Sequence, residues 1–137
     1  EGEVVNGLPD GVGVMTWESI GKYEGEFKKG QQHGDGTMEW TTGDVYAGEF
    51  KSGQMSGEGT MEWAIGNLYT GAWENGKANG FGKMTWPTGD YYEGEWKADN
   101  FHGKGTMTWK LYGEYIGDWN NGLPYATAQK QIVVVPT

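Results

Sequence analysis

Laid on itself at an offset of 23 residues, the chain brings Tyr23, Tyr46, Tyr69, Tyr92 and Tyr115 into register. A period of this size marks a repeat architecture, in which each unit packs on its neighbours and no closed core is required. Two residues after each tyrosine comes a glycine (Gly25, Gly48, Gly71, Gly94, Gly117), and two further on an aromatic ring (Phe27, Phe50, Trp73, Trp96, Trp119). A second motif, GxGxxxW, recurs on the same period: Gly11, Gly13 and Trp17; Gly34, Gly36 and Trp40; Gly57, Gly59 and Trp63; Gly80, Gly82 and Trp86; Gly103, Gly105 and Trp109.

Inside both motifs the spacing is two, so each predicts a β-strand with its aromatic and glycine positions on one face and residues such as Glu24, Glu26, Asp35 and Glu39 on the other. Between the strands stand KKGQ, KSGQ, ENGK and NNGL, and after the second strand TTGD, AIGN and PTGD, which supply the glycines or asparagines that tight turns need. The fold class that follows is all-β: an elongated, twisted, single-layer antiparallel meander of 23-residue β-hairpin repeats, with about eleven short strands spanning about 50 Å at ~4.8 Å per strand. The array is read as residues 1–132: a partial repeat 1–22, full repeats 23–45, 46–68, 69–91 and 92–114, and a degenerate cap 115–132, followed by a tail 133–137. Ile20 and Tyr112 hold the places taken elsewhere by the turn glycines Gly43, Gly66 and Gly89, so those two turns are expected to be reshaped. Ala126, Ala128 and Ile132 replace the Gly, Gly and Trp of the second motif at the far end, and the chain is expected to be a segment of a longer array.

Composition supports packed structure without a thick core. Apolar residues make up only 36%, yet 26 Gly accompany 8 Trp and 8 Tyr, and disordered chains are poor in aromatics. The formal charge is −9 and the basic residues are ten lysines, with no arginine to grip phosphate bidentately. Nucleic acid is therefore not expected as a partner, and an anionic membrane is not favoured. Cysteine is absent, and the longest apolar run, residues 132–135, is far too short to span a bilayer. A cytoplasmic chain, reaching cytoskeleton or membrane through its partners, is the expectation.

The pattern YxGxWxxGxxHGxGxxxxxxG resembles the MORN repeat (membrane occupation and recognition nexus), and residues 23–43 fit it nearly position by position. The resemblance implies an elongated antiparallel sheet of the kind found in cytoskeletal scaffolds, junctional membrane proteins and accessory regions of larger enzymes. Such repeats organise partners and seldom carry chemistry.

No catalytic, cofactor-binding or metal-ligating set is expected. His33 occupies a position filled in turn by Asp10, His33, Ser56, Asn79 and His102, which suits a polar hairpin end and no chemistry that needs one particular side chain. Its distance from His102, three repeats away, rules out a shared metal. The GDG and GEG stretches lack the third glycine and following helix of a dinucleotide site. Glu24, Glu26, Glu39, Glu49 and Glu62 are read as an electrostatic face, solvated or docking a basic partner, since an open sheet offers no cleft to raise a carboxyl pKa for glycoside chemistry. The expected functional surface is aromatic: a groove walled by Tyr46, Phe50, Trp63, Tyr69, Trp73, Trp86, Tyr92 and Trp96 that receives a protein or peptide segment. A phospholipid module and a carbohydrate-binding aromatic repeat are the alternatives, and a second copy is expected to pair, where it does, through an edge strand or the C-terminal tail.

Overall fold

The computed structural model describes residues 2–5, 7–120, 123–124 and 132–133. They form one antiparallel sheet: β1 (Gly2–Val5), β2 (Leu8–Trp17), β3 (Gly21–Lys28), β4 (Gln31–Trp40), β5 (Val45–Lys51), β6 (Gln54–Glu62), β7 (Leu68–Glu74), β8 (Lys77–Thr85), β9 (Tyr91–Lys97), β10 (Asn100–Trp109), β11 (Gly113–Asn120), β12 (Leu123–Pro124) and β13 (Ile132–Val133). Each strand pairs with the next in chain order up to β12, and β13 returns to pair with β11. No helix or second sheet occurs among the described residues. The expected meander of hairpins is the observed fold.

Two-residue turns close one margin of the ribbon. Lys29 and Gly30 have φ of 52° and 82°, Ser52 and Gly53 51° and 82°, and Asn75 and Gly76 50° and 79°. Positive φ at both central residues is the mirror-image turn whose twist matches that of the flanking strands. The fourth turn has no glycine and is nevertheless built alike, with Ala98 at 47° and Asp99 at 70°. Each of these turns also ties to the preceding repeat: the N–H groups of Gly30, Gly53, Gly76 and Asp99 donate to the carbonyls of Pro9, Gln32, Met55 and Ala78 at 2.8 to 3.0 Å. At the opposite margin Gly43, Gly66 and Gly89 take φ of 99°, 103° and 96°, and their N–H groups donate to the carbonyls of Trp40, Trp63 and Trp86. The loops over 18–20 and 110–112 contain no positive φ and close instead through Ile20 N–H to the Trp17 carbonyl (3.2 Å) and Tyr112 N–H to the Trp109 carbonyl (3.3 Å), the expected reshaping.

A row of glycines crosses the whole ribbon. Gly13, Gly25, Gly36, Gly48, Gly59, Gly71, Gly82, Gly94, Gly105 and Gly117, one from each strand of β2 to β11, face one another in cross-strand register. Beside it runs a row in which tyrosine and methionine alternate, Tyr23 facing Met15 and Met38, Tyr46 facing Met38 and Met61, and so on to Tyr115. The tyrosine rings lie across the glycine row. A Cβ added at Gly36, Gly59, Gly82 or Gly105 would sit within 3.0 Å of the ring of Tyr23, Tyr46, Tyr69 or Tyr92. The glycines are therefore clearance for a flat ring, as their place opposite large aromatics implies.

The rings then lock in series. Tyr23 meets Phe27 of its own repeat and Phe50 of the next edge-to-face, with centroids 5.0 and 5.1 Å apart, and Tyr46 meets Phe50 and Trp73 at 5.1 and 5.3 Å. Tyr69 and Tyr92 continue the pattern through Trp96 and Trp119. The hydroxyls of Tyr23, Tyr46, Tyr69, Tyr92 and Tyr115 each donate to the carbonyl three residues on, at Glu26, Glu49, Ala72, Glu95 and Asp118 (2.8 to 3.0 Å). Where the partner is tryptophan, its indole N–H adds a bond to a carbonyl of the glycine row: Trp73 to Gly59, Trp96 to Gly82 and Trp119 to Gly105, all 3.0 Å. These five tyrosines are wholly buried without a second layer. The ribbon supplies its own cover, because each ring shields the backbone beneath it and is shielded by the next repeat.

Candidate interaction face

Of the eight residues expected to wall a groove, six belong to this lock. Tyr46, Tyr69 and Tyr92 have no exposed area, and Phe50, Trp73 and Trp96 keep about 5% each. Trp63 and Trp86 are only partly buried, as are Trp17, Trp40 and Trp109 at the equivalent place in the other repeats. The tryptophans of the second motif sit at the margin carrying the longer loops, with their flanks packed on the buried rows. The six buried rings are thus the backing of the apolar face, and the tryptophan margin is its accessible part.

Two clefts open on this face. One, of about 330 Å³, is lined by Trp17, Ile20, Met38, Trp40, Phe50 and Met55 together with the side chains of Gln32 and Gln54. The other, of about 420 Å³, is lined by Trp86, Pro87, Thr88, Asp90, Met107 and Trp109. Their walls are aromatic and thioether groups, which adapt to differently shaped apolar ligands. Carboxylates are nearly absent from them: Asp90 accepts the N–H of Lys110 (2.8 Å) and so is already engaged in joining two loops.

The opposite face carries the charge, but its acidic residues divide into two kinds. Glu24, Glu39 and Glu62 are exposed side chains of the polar face, with Lys22 directly opposite Glu39. Glu26 and Glu49 are structural. Each hairpin contains a bulge after its glycine pair, and the carboxylate of Glu26 accepts the N–H of Asp35 there, that of Glu49 the N–H of Glu58, and that of Glu95 the N–H of Lys104, all at 2.8 Å. The signal was present as the acidic residue three places after the tyrosine in YEGEF, YAGEF and YEGEW. In the third repeat Ala72 takes this place, and Gly80 in the bulge opens to a φ of 108° where Gly34, Gly57 and Gly103 hold 62° to 64°. A second carboxylate device joins the longer loops: Asp44 accepts the N–H of Ala64 (2.8 Å) as Asp90 does that of Lys110, while at the intervening loop Asn67 stands opposite Pro87, which has no N–H to give.

Burial raises the tyrosine hydroxyls. Tyr23 is pushed up to about 12, first by desolvation and then by the Glu26 carboxylate, and Tyr46, Tyr69 and Tyr92 are raised for the same leading cause. These phenols are hydrogen-bond donors to backbone, with no substrate-accessible surface. At the hairpin ends, the carboxylate of Asp10 and the amide oxygen of Asn79 accept the turn N–H of Lys29 and Ala98 in the next repeat, so in those two repeats the position that His33 and His102 hold elsewhere couples one turn to the next. Among the described residues no group of three or more His, Cys, Asp or Glu is placed to hold a metal, and no helix is long and apolar enough to cross a membrane.

The family model for the MORN repeat matches residues 1–19, 23–45, 46–68, 69–91, 92–110 and 115–124. The chain belongs to the MORN-repeat family. MORN repeats generally mediate protein or membrane interactions and form no enzyme family of their own, so the lock of buried rings described above is the MORN framework and the surfaces it leaves open are those through which such a repeat can act. Comparison with curated proteins gives no match.

Proposed function

We propose that this MORN array is a non-enzymatic interaction scaffold, the segment of a larger protein that docks a protein or peptide along its apolar face. The carrying observation is the pair of tryptophan-lined clefts at Trp17–Trp40 and Trp86–Trp109, on a face that no other element covers among the described residues. Three repeat steps separate them, about 30 Å at ~4.8 Å per strand, so one extended or helical segment with apolar side chains near its two ends reaches both. Tyr46, Phe50, Tyr69, Trp73, Tyr92 and Trp96 hold the floor of that groove rigid, and Trp63 and Trp86 lie along its length. A lipid surface is the weaker reading, since the charge is −9 and arginine is absent.

The test is selection of peptides from a displayed library on residues 1–137, followed by titration against a Trp40→Leu/Trp63→Leu/Trp86→Leu variant. Selected peptides rich in apolar residues should lose at least tenfold in affinity while circular dichroism stays strand-like. Unchanged affinity in a folded variant overturns the proposal.

A further inference from the structure

The polar face changes character at the third repeat. On that face the first full repeat sets Glu24, Glu26, Asp35 and Glu39, the second Glu49, Glu58 and Glu62, and the fourth Glu93 and Glu95. The third sets no carboxylate there: its residues at the same places on β7 and β8 are Leu68, Thr70, Ala72, Phe81, Lys83 and Thr85. Asp35, Glu58 and Lys104 hold the place of Phe81 in the other full repeats, so the framework requires no ring at this point. Phe81 is nevertheless there, 62% exposed, with Leu68 also exposed on the neighbouring strand.

A carboxylate stands opposite each apolar member of this window. Glu62 faces Leu68 and Glu58 faces Ala72 from β6, while Glu95 faces Phe81 from β9, where Glu93 lies opposite Lys83. All four carboxylate residues are exposed. Lys83 is the one cation inside the rim, and its ammonium is turned to the Tyr91 ring, 4.4 Å from the centroid. An exposed apolar patch rimmed by charge marks an interaction site, and the sign of the rim selects the partner. A second copy laid face to face on this window would bring carboxylates against carboxylates, whereas a basic partner meets complementary charge on both sides.

We propose that this window, on the face opposite the tryptophan margin, docks an extended segment of another protein in which an apolar side chain lies between two lysines or arginines. The strands β6 and β9 are three steps apart, about 14 Å at ~4.8 Å per strand. An extended segment rises ~3.3 Å per residue, so cations four residues apart span about 13 Å and match that separation. Residues i, i+2 and i+4 of such a segment also share one side. A segment crossing the strands therefore sets its central apolar residue on Phe81 and its two cations against the Glu58–Glu62 and Glu93–Glu95 pairs. Apolar contact at Phe81 supplies the anchor, and the rim fixes orientation and excludes acidic competitors.

The probe is the capped peptide GKSFSRG, titrated into the full chain with amide shifts followed by NMR, against GKSSSRG, which lacks the anchor, and GESFSEG, which reverses the charge. The first should shift residues 68–72 and 81–85 and bind at least fivefold more tightly than either control. Phe81→Asp sets an acid opposite Glu95 just as Asp35 stands opposite Glu49, so the fold accommodates it. Although it adds negative charge, it should weaken binding of GKSFSRG at least fivefold, and Glu58→Gln/Glu62→Gln/Glu93→Gln should weaken it and flatten its dependence on salt. Equal binding of GKSFSRG and GKSSSRG, or tighter binding by Phe81→Asp, would reduce the contact to charge alone and overturn the anchor. Loss of binding in the Trp40→Leu/Trp63→Leu/Trp86→Leu variant would move the peptide to the opposite face and refute the window. Self-association of the free chain that Phe81→Asp abolishes would assign the window to a second copy and equally refute a basic partner.

Discussion

Replacing Gly59 by alanine tests the central claim that the glycine row is clearance for rings. Gly59 has an ordinary extended backbone, so alanine costs nothing in φ there, but its Cβ would lie within 3.0 Å of the Oη, Cζ and Cε1 atoms of Tyr46, which has no exposed surface. The ring must tilt away. It then weakens edge-to-face contacts with Phe50 and Trp73, worth about 0.5–1.5 kcal/mol each. It also strains or breaks the 2.9 Å bond to the Glu49 carbonyl, worth about 1 kcal/mol. With some loss of apolar burial the total is about 3–5 kcal/mol, a large part of the stability of a domain this size. Gly53→Ala is the matched comparison: φ is +82° and nothing lies closer than 4.0 Å, so only the left-handed backbone penalty of about 1–2 kcal/mol applies. Urea unfolding followed by tryptophan fluorescence ranks the two. Repeating Gly59→Ala in a Tyr46→Leu background should cut its cost by half or more. Equal costs at the two glycines, or an undiminished cost of Gly59→Ala once the Tyr46 ring has been removed, would refute the reasoning.

The buried phenols should make the array alkali-sensitive. Their folded pKa values lie above the unfolded value of about 10, so their stabilising contribution is complete below pH 10 and is lost as pH rises toward 12, the folded value of Tyr23. Ionisation in the unfolded chain alone removes about 1.4 kcal/mol per tyrosine at pH 11, or roughly 6 kcal/mol over Tyr23, Tyr46, Tyr69 and Tyr92. The share of tyrosinate absorbance that belongs to these four should therefore appear together with loss of near-ultraviolet dichroism, and their ionisation with the fold intact would contradict the burial. In the third repeat, Ala72→Glu should restore the carboxylate that caps the bulge at Glu26, Glu49 and Glu95, accepting the N–H of Phe81 and raising the urea midpoint by the equivalent of about 1 kcal/mol. An unchanged midpoint would show that the opened Gly80 leaves that amide out of reach.

The repeat length, the strands, the turn positions and the sidedness of each strand were legible because they depend on spacing, and five copies of a period-two pattern admit one geometry. Burial depth was not. Alternation says that Tyr46 and Trp63 share a face; it does not say that Tyr46 lies along the sheet beneath Phe50 and Trp73 while Trp63 remains partly open at the margin. That distinction rests on contacts 27 residues apart, which one repeat does not contain. The same limit hid the role of Glu26 and Glu49, exposed on the polar face as parity places them, whose carboxylates cap the amides of a bulge that parity cannot register. The fourth turn was legible only in part, since it lacks glycine and Ala98 is a poor residue for positive φ; its conformation is held by a reciprocal pair with Ala78 of the preceding repeat, the Asp99 N–H donating to the Ala78 carbonyl (2.9 Å) and the Asp99 carboxylate accepting the Ala78 N–H (2.7 Å).

Which residues can serve a partner follows from which the lock has already used. Each repeat tyrosine, its following aromatic ring and the glycine beneath it are committed to neighbour contacts, so changing any of them costs stability in two repeats at once. The tryptophan margin is under less constraint. Its rings rest on the buried rows and make no hydrogen bond that closes the ladder, yet all five units carry tryptophan there, from Trp17 to Trp109. A residue whose large apolar surface is only half used by the fold, repeated at every step of a rigid ribbon, is what a docking surface requires: a fixed spacing of anchors at low ordering cost. The third repeat supports the same separation of duties. It gives up the bulge carboxylate at Ala72 and, with Pro87, the loop staple to Asn67 of the repeat before, both on the fold's side of the division, while Trp63 and Trp86 on either flank keep their place.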